Sequence, residues 1–166
     1  PVPATPVSIH DIQYTDDPSG DSPYLGDNVE FTATITAYDS FAPKLWVQDG
    51  SGPWNGIQLY SSATFLGYGI GEIVQIRGLV QTYQDVTTIA PSTITIVGAA
   101  HPPEPVFVSS LDANAEMYES VLVEIRDVVV TDVTTSDPGG NPWVVNDGSG
   151  PLKVFTSLDD NMSYIP

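Results

Sequence analysis

The chain contains no cysteine, which excludes disulfide bridges and thiolate chemistry. Cations are scarce as well: four Lys and Arg residues stand against 21 acidic residues, and the formal net charge is −17. Because backbone binding of nucleic acid uses Lys and Arg to displace counterions, this charge predicts that nucleic acid is an unlikely partner. The sequence also lacks any apolar run approaching about 18 residues, so we expect no membrane span.

The sequence begins with Pro1-Val-Pro-Ala-Thr-Pro6 rather than with a methionine or an apolar leader. This start predicts a processed mature end or an excised piece. Few lysines and many Thr, Ser, Asn and Gly residues favour an extracellular or cell-surface location.

A segment rich in turn residues occurs twice. Leu45-Trp-Val-Gln-Asp-Gly-Ser-Gly-Pro53 returns as Pro142-Trp-Val-Val-Asn-Asp-Gly-Ser-Gly-Pro151. The repetition predicts that one small β module is duplicated. It gives a first domain over residues 1–98, a proline-rich hinge over 99–105 and a second domain over 106–166. The second copy lacks counterparts for most of residues 63–98, so we expect it to be incomplete at its C-terminus.

Apolar and polar residues alternate along residues 29–38, which is typical of a half-buried strand. Four further segments are predicted to be strands, at residues 45–48, 57–60, 73–81 and 87–97, with a break between the third and fourth strands. Five strands in this arrangement predict the small Greek-key barrel called the OB-fold. The predicted fold is therefore all-β, with two OB-fold-like five-stranded Greek-key barrels in tandem and the second incomplete.

Several short motifs resemble one known type of module. They are Gly71-Glu-x-Val-x-Ile-x-Gly78-x-Val80-x-x-Tyr83, Gly56-Ile-x-x-Tyr60, Ser22-Pro-Tyr-Leu-Gly26 and Tyr118-Glu-Ser-Val-Leu-Val123. Together they are similar to the OB-fold accessory modules of secreted bacterial and archaeal nucleases of the endonuclease/exonuclease/phosphatase type, and of multidomain surface proteins. In those nucleases the catalytic domain is separate, so the resemblance implies binding without hydrolysis. Ser120 departs from the pattern, in which glycine is common at this position.

Four aromatic residues of the first copy are candidate binding residues: Trp46, Trp54, Tyr60 and Tyr83. Aromatic rings on an OB-fold face stack bases, and packing in a core or an interface is the alternative. Trp143 of the second copy is a further candidate interface residue. No nucleophile motif or acid/base carboxylate pair is recognisable, so we predict no catalytic residue and no enzyme activity.

Four aspartates crowd one loop of the first copy: Asp16, Asp17, Asp21 and Asp27. Oxygen ligands in a flexible loop suit Ca²⁺, so calcium is the one cofactor that the sequence suggests. The alternative is a solvated acidic loop. Asn161-Met-Ser163 is a formal glycosylation sequon.

The missing strands of the second copy would leave an unpaired sheet edge. A strand from a neighbouring subunit could complete that sheet, and the candidate donor is the extended segment over residues 1–13, with apolar Val7, Ile9 and Ile12. Because head-to-tail donation propagates, this interpretation predicts a secreted, non-enzymatic structural protein that self-associates into a filament. The alternative is an accessory module that holds nucleic acid or another polymer for a secreted nuclease or surface enzyme. A calcium-dependent carbohydrate or matrix binder is a third interpretation.

Overall fold

A computed structural model describes residues 3–39, 43–62, 65, 67–133 and 142–155. The chain divides into two compact units: the first comprises Pro1–Val106 with Glu116–Leu122, and the second comprises Phe107–Ala115 with Val123–Pro166. The sequence-based division assigns residues 116–122 to the second domain, whereas they pack in the first unit. Among the described residues, no helix is long and apolar enough to cross a membrane.

The first unit is a closed five-stranded barrel. Its elements are β1 (Thr5–Pro6), α1 (Ile9–Gln13), β2 (Asn28–Asp39), β3 (Lys44–Gln48), β4 (Gly56–Tyr60), β5 (Glu72–Tyr83) and β6 (Val86–Ala99). The barrel strands follow the order β2-β3-β4-β6-β5, and β5 also pairs with β2, which closes the sheet. The β4–β6 pair is parallel and the other barrel pairs are antiparallel. This arrangement is the OB-fold that the strand count predicts.

The barrel interior follows from the alternation of apolar and polar residues. Each of the five strands sends every second side chain inward, where it is shielded from water. The inward set is Val29, Phe31, Ala33, Ile35, Leu45, Val47, Ile57, Leu59, Val74, Ile76, Val80 and Ile89. Burial of one large aliphatic side chain is worth about 1.5–3 kcal/mol, so this set is the main source of stability in the first unit.

The N-terminal segment belongs to its own barrel. β1 pairs in parallel with β2, and the Val7 amide donates to the carbonyl of Glu30 at 3.1 Å. Ile9 and Ile12 are both 0% exposed in the barrel core, and Val7 packs against that core. Since these side chains are already buried within their own domain, the segment is not a free strand for a neighbouring subunit. The prediction of a filament built by strand donation is therefore wrong.

Residues 9–13 form a helix because Ser8 and Asp11 cap its first turn with two reciprocal hydrogen bonds. The Ser8 hydroxyl accepts a hydrogen bond from the Asp11 amide at 3.1 Å, and the Asp11 carboxylate accepts one from the Ser8 amide at 3.2 Å. This capping box satisfies two amides that a helix start otherwise leaves without partners. The helix then places Ile9 and Ile12, three residues apart, on the same buried face.

The remaining described strands are β7 (Val106–Phe107), β8 (Val123–Glu124), β9 (Val129–Val133), β10 (Trp143–Asn146) and β11 (Pro151–Val154). β9, β10 and β11 form an antiparallel sheet in the order β11-β10-β9. By the sequence repeat they correspond to β2, β3 and β4, so the prediction of an all-β chain with tandem OB-fold-like modules is confirmed. Asn161 lies outside the described residues.

The second unit repeats the capped turn of the first. The Ser109 hydroxyl accepts a hydrogen bond from the Asp112 amide at 3.0 Å, as Ser8 does from Asp11. The aspartate of the repeated Asp-Gly-Ser-Gly-Pro turn makes an equivalent hydrogen bond in each unit. Asp49 accepts from the Ile9 amide at 2.7 Å, and Asp147 accepts from the Ser110 amide at 3.0 Å. The duplicated unit therefore includes the segment that precedes the barrel.

Candidate functional site

Strands β3 and β4 turn one row of side chains away from the core. Lys44 lies opposite Tyr60 and Trp46 lies opposite Gln58 in the β3–β4 register, so these four residues share one side of the sheet. The alternate residues of both strands are buried in the core. Tyr83, at the end of β5, alternates with the inward Val80 row and points outward too. We call Lys44, Trp46, Gln58, Tyr60 and Tyr83 the aromatic face.

Two rings of this face stack on each other. The Tyr60 and Tyr83 ring centroids are 4.2 Å apart and their planes differ by 13°. A hydrogen bond with Tyr83 raises the pKa of the Tyr60 hydroxyl above its ordinary value. Both rings, and that of Trp46, are half-buried, so each keeps some surface that a planar ligand can reach.

Beneath the rings the sheet surface is polar and closely packed. Gln58 and Thr88 are register partners in the β4–β6 pair, yet they are only 4% and 0% exposed. Part of the outward surface of this sheet is therefore closed to solvent, beside rings that stay half-buried.

A cleft borders the stacked pair. One part has a volume of about 310 Å³ and is lined by Tyr60, Ser61, Ser62, Gln81, Ala90 and Pro91. A second part, of about 190 Å³, shares Ser61 and Pro91 and adds the rings of Phe65 and Tyr68. The two parts are therefore adjacent, and their described lining consists of hydroxyl groups, an amide, apolar groups and rings. Such a lining suits an uncharged, flat or hydroxylated group.

Residues 116–122 cover the other half of the same outward surface, and we call them the strap. A Cβ atom built on Gly56, which is outward like Gln58, would lie 2.1 Å from the Ser120 carbonyl oxygen. The Leu122 amide donates to the Gln48 side chain at 2.7 Å. The Trp54 amide donates to the Met117 carbonyl at 2.8 Å. The strap therefore crosses directly over β3 and β4, and Gly56 is the residue that lets it approach.

Glu119 anchors the middle of the strap. Its carboxylate accepts hydrogen bonds from the Thr87 amide at 3.0 Å and from the Gln13 side chain at 3.5 Å. The same Gln13 amide group donates to the Gly56 carbonyl at 2.8 Å. Burial, followed by the nearby charge of Glu116, raises the pKa of Glu119 to about 7. Glu119 therefore titrates near neutral pH, unlike an ordinary glutamate.

The structure brings together three of the predicted aromatic residues, Trp46, Tyr60 and Tyr83. Trp54 instead lies at the strap, with its ring edge-on to Tyr14 at 5.6 Å between centroids. Trp143 lies half-buried on β10 in the second unit. Of the predicted interface residues, Ile9 and Ile12 are core residues of the first barrel and Val7 packs against that core.

The four predicted metal ligands are exposed, and three of their carboxylates bind within their own loop. Asp16 accepts from the Tyr14 hydroxyl at 3.0 Å. Asp17 accepts from the Ser19 amide at 2.9 Å, and Asp21 accepts from the Ser19 hydroxyl at 3.0 Å. Asp27 immediately precedes β2. Within the described ranges, no group of three or more His, Asp or Glu residues is placed to hold a metal ion. Calcium binding by this loop stays a prediction.

Sequence reasoning missed the strap and the cleft. Gly56 and Tyr118-Glu-Ser-Val-Leu-Val123 both stood in recognised motifs, but nothing in the sequence indicated that they touch. One local signal was present: Ser120 has φ of 60°, in the left-handed region where glycine is favoured. Its counterpart in the repeat, Gly26, has φ of 88°. The motif glycine that Ser120 replaces thus marks a sharp backbone turn.

No protein-family model matches the chain, and no curated protein matches it either. Solved structures do. A replication protein A heterotrimer bound to ssDNA is 19% identical, with a TM-score of 0.43, over 57% of this chain and 81% of that chain. The second OB-fold domain of replication protein A from Methanococcus maripaludis is 17% identical, with a TM-score of 0.35, over 49% of this chain and 92% of that chain. Aspartyl tRNA synthetase from Entamoeba histolytica is 16% identical, with a TM-score of 0.39, over 50% of this chain and 21% of that chain. At these identities the likeness concerns the fold.

Two predictions from the sequence are wrong. The self-associating structural filament is the first, because its donor segment is part of its own barrel. The prediction that nucleic acid is an unlikely partner is the second. The physical reason is that net charge sums over the whole chain and does not describe one face. Strands β3 and β4 carry one cation, Lys44, and no acidic side chain.

Proposed function

We propose that the chain is a non-catalytic polymer-binding module, and that its aromatic face binds single-stranded nucleic acid. The observation that carries this proposal is the grouping of Trp46, Tyr60 and Tyr83 on one outward face, beside an uncharged cleft. Rings in fixed positions stack bases without regard to base identity. We therefore expect the protein to bind single-stranded nucleic acid with little sequence preference.

Stacking, rather than phosphate neutralisation, has to supply most of the affinity. Base–aromatic stacking contributes about 1–3 kcal/mol per base, and three rings are present. Lys44 is the one cation on β3 and β4, so it can meet only one phosphate at a time. The chain's large negative charge opposes a phosphate backbone at long range, and we expect modest affinity.

Removing a ring tests the proposal directly. In titrations of the protein with a fluorescent oligothymidylate, Tyr60→Ala and Tyr83→Ala should each weaken binding by about 5-fold to over 100-fold, because each substitution removes one stacking surface. Circular dichroism should show that both variants stay folded.

Tyr14→Ala is the matched control, since Tyr14 is an exposed tyrosine at the end of α1 and not on the aromatic face. It should bind like the unmodified protein. Unchanged affinity in both Tyr60→Ala and Tyr83→Ala, or no binding by the unmodified chain, would overturn the proposal.

The sequence motifs support a more specific role. Gly71-Glu-x-Val74 through Tyr83 and Tyr118 to Val123 resemble accessory modules of secreted nucleases, so we extend the proposal to a module that holds its polymer for a separate catalytic domain. A location outside the cell belongs to the same proposal and is supported by composition. Fusing the chain to a nonspecific nuclease domain should then lower the KM for single-stranded substrate, and Tyr60→Ala in the fusion should remove that gain.

A further inference from the structure

We propose that the strap, residues 116–122, regulates the binding face: it stays docked on β3 and β4 at acidic pH and leaves as the pH rises, which lengthens the surface open to the polymer. This inference rests on the proposed function, because it concerns the same face.

The strap and the aromatic rings share the outward surface of β3 and β4. Gln48 and Gly56 belong to the same outward rows as Trp46 and Tyr60. The strap covers the first pair and leaves the second pair half-open. A polymer that follows the rings along β3 and β4 therefore meets the strap after a few residues.

Hydrogen bonds and one buried side chain hold the strap on the barrel. Its contacts with the barrel include four hydrogen bonds, received or donated by Met117, Glu119 and Leu122. Val121, 8% exposed, is the one core hydrophobic residue within the strap. Each neutral hydrogen bond contributes modestly to stability because water competes for the same groups. Two of the four bonds end on the Glu119 carboxylate, so docking depends on the charge of that group.

The groups around Glu119 are two neutral donors and one like charge. Helix α1 presents the neutral amide of Gln13 to it, and β6 presents the backbone amide of Thr87. The charged group that acts on it is Glu116, whose negative charge disfavours ionisation. An ionised Glu119 is therefore half-buried beside a like charge and faces no cation among the described residues that act on it. Ionisation weakens docking.

The direction with pH follows from linkage. The pKa of Glu119 is about 7 when the strap is docked, above its ordinary value when the strap is free. Docking is therefore strongest below the ordinary glutamate pKa and weakens as the pH rises through about 7. A polymer that competes with the strap should bind more tightly at pH 8 than at pH 5. Because Glu119 is partly exposed, we expect about a tenfold difference, less than a fully buried carboxyl would give.

Glu119→Gln is the decisive variant, because glutamine keeps the acceptor for the Thr87 amide and cannot ionise. With an oligothymidylate as probe, the unmodified chain should bind about tenfold more tightly at pH 8 than at pH 5, and Glu119→Gln should bind weakly at both. Equal pH dependence in the two proteins would overturn the proposal. Gly56→Ala is the complementary variant, since its Cβ collides with Ser120; if folded, it should bind tightly at both pH values.

A measurement without ligand separates this inference from the proposed function. In NMR spectra recorded from pH 5 to 8, the amide signals of Trp54 and Leu122, which bond between strap and barrel but not to Glu119, should titrate together with a midpoint near pH 7, and they should not titrate in Glu119→Gln. If that titration occurs but no oligothymidylate binds, the strap switch stands and the proposed ligand fails. If binding occurs and these amides do not titrate, the switch fails alone.

Discussion

Replacing Ile9 with alanine is expected to lower the free energy of unfolding by about 2–5 kcal/mol, the usual cost of removing a large aliphatic side chain from a packed core. Ile9 is 0% exposed and belongs to the core cluster of the first barrel. Truncation leaves a cavity that α1 cannot close, because its first turn is held at Ser8, Asp11 and Asp49. Urea denaturation followed by circular dichroism measures the change.

Ile96→Ala is the matched control, since Ile96 lies on β6 and is 48% exposed. It should change the free energy of unfolding by less than about 0.5 kcal/mol, as surface substitutions do. If Ile9→Ala were as harmless as Ile96→Ala, the N-terminal segment would not be part of its own barrel. Strand donation to a neighbour would then return as an explanation.

Replacing Gly78 with alanine should also destabilise the barrel strongly, by about 1–3 kcal/mol or more. A Cβ at this position would lie 2.4 Å from the Ile89 side chain and 2.6 Å from the Ala90 carbonyl oxygen. Both atoms belong to β6, which pairs with β5 at this point through a register shift next to Gly78. The new methyl group would therefore force β5 and β6 apart. Thermal unfolding measures the effect.

Gly98→Ala provides the comparison, because Gly98 lies on β6 and its Cβ would meet only Ile73, at an ordinary 3.5 Å. This variant should melt near the temperature of the unmodified protein. A similar loss of stability in both variants would show that general strand entropy, rather than the close β5–β6 approach, explains the effect. The close approach also gives a physical reason for Gly78 in the motif that resembles nuclease accessory modules.

The barrel itself could be predicted because its signals are local. Alternation along β2 and β5 determines which residues are buried whatever their partners are, and the repeated Asp-Gly-Ser-Gly-Pro turn places β3 next to β4. The five predicted strands accordingly lie within two residues of the observed ones at each end. The N-terminal segment was different. The spacing of Val7 and Ile9 is that of a strand, whereas the spacing of Ile9 and Ile12 is that of a helix. The capping box formed by Ser8 and Asp11 favours the helix.

The site could be predicted only in part. Trp46, Tyr60 and Tyr83 were candidates because an OB-fold uses such rings, and β-strand register placed the first two on one face. The strap could not be predicted, because Glu119 meets Gln13 and Thr87 only after the chain folds back. The raised pKa of Glu119 has the same origin, since burial by distant residues causes it. The net charge led to a wrong prediction about nucleic acid because it sums over the whole chain, including the acidic loop around Asp17. It does not describe the surface of β3 and β4.

The most direct test of the binding face is an NMR titration of the isotope-labelled chain with a short oligothymidylate at pH 8. The account predicts that the largest shifts appear at the Trp46 indole and at the amides of Tyr60, Ser61 and Tyr83, with saturation at a common ligand concentration. Shifts confined to the acidic loop or to the second unit, with these four residues unmoved, would contradict it.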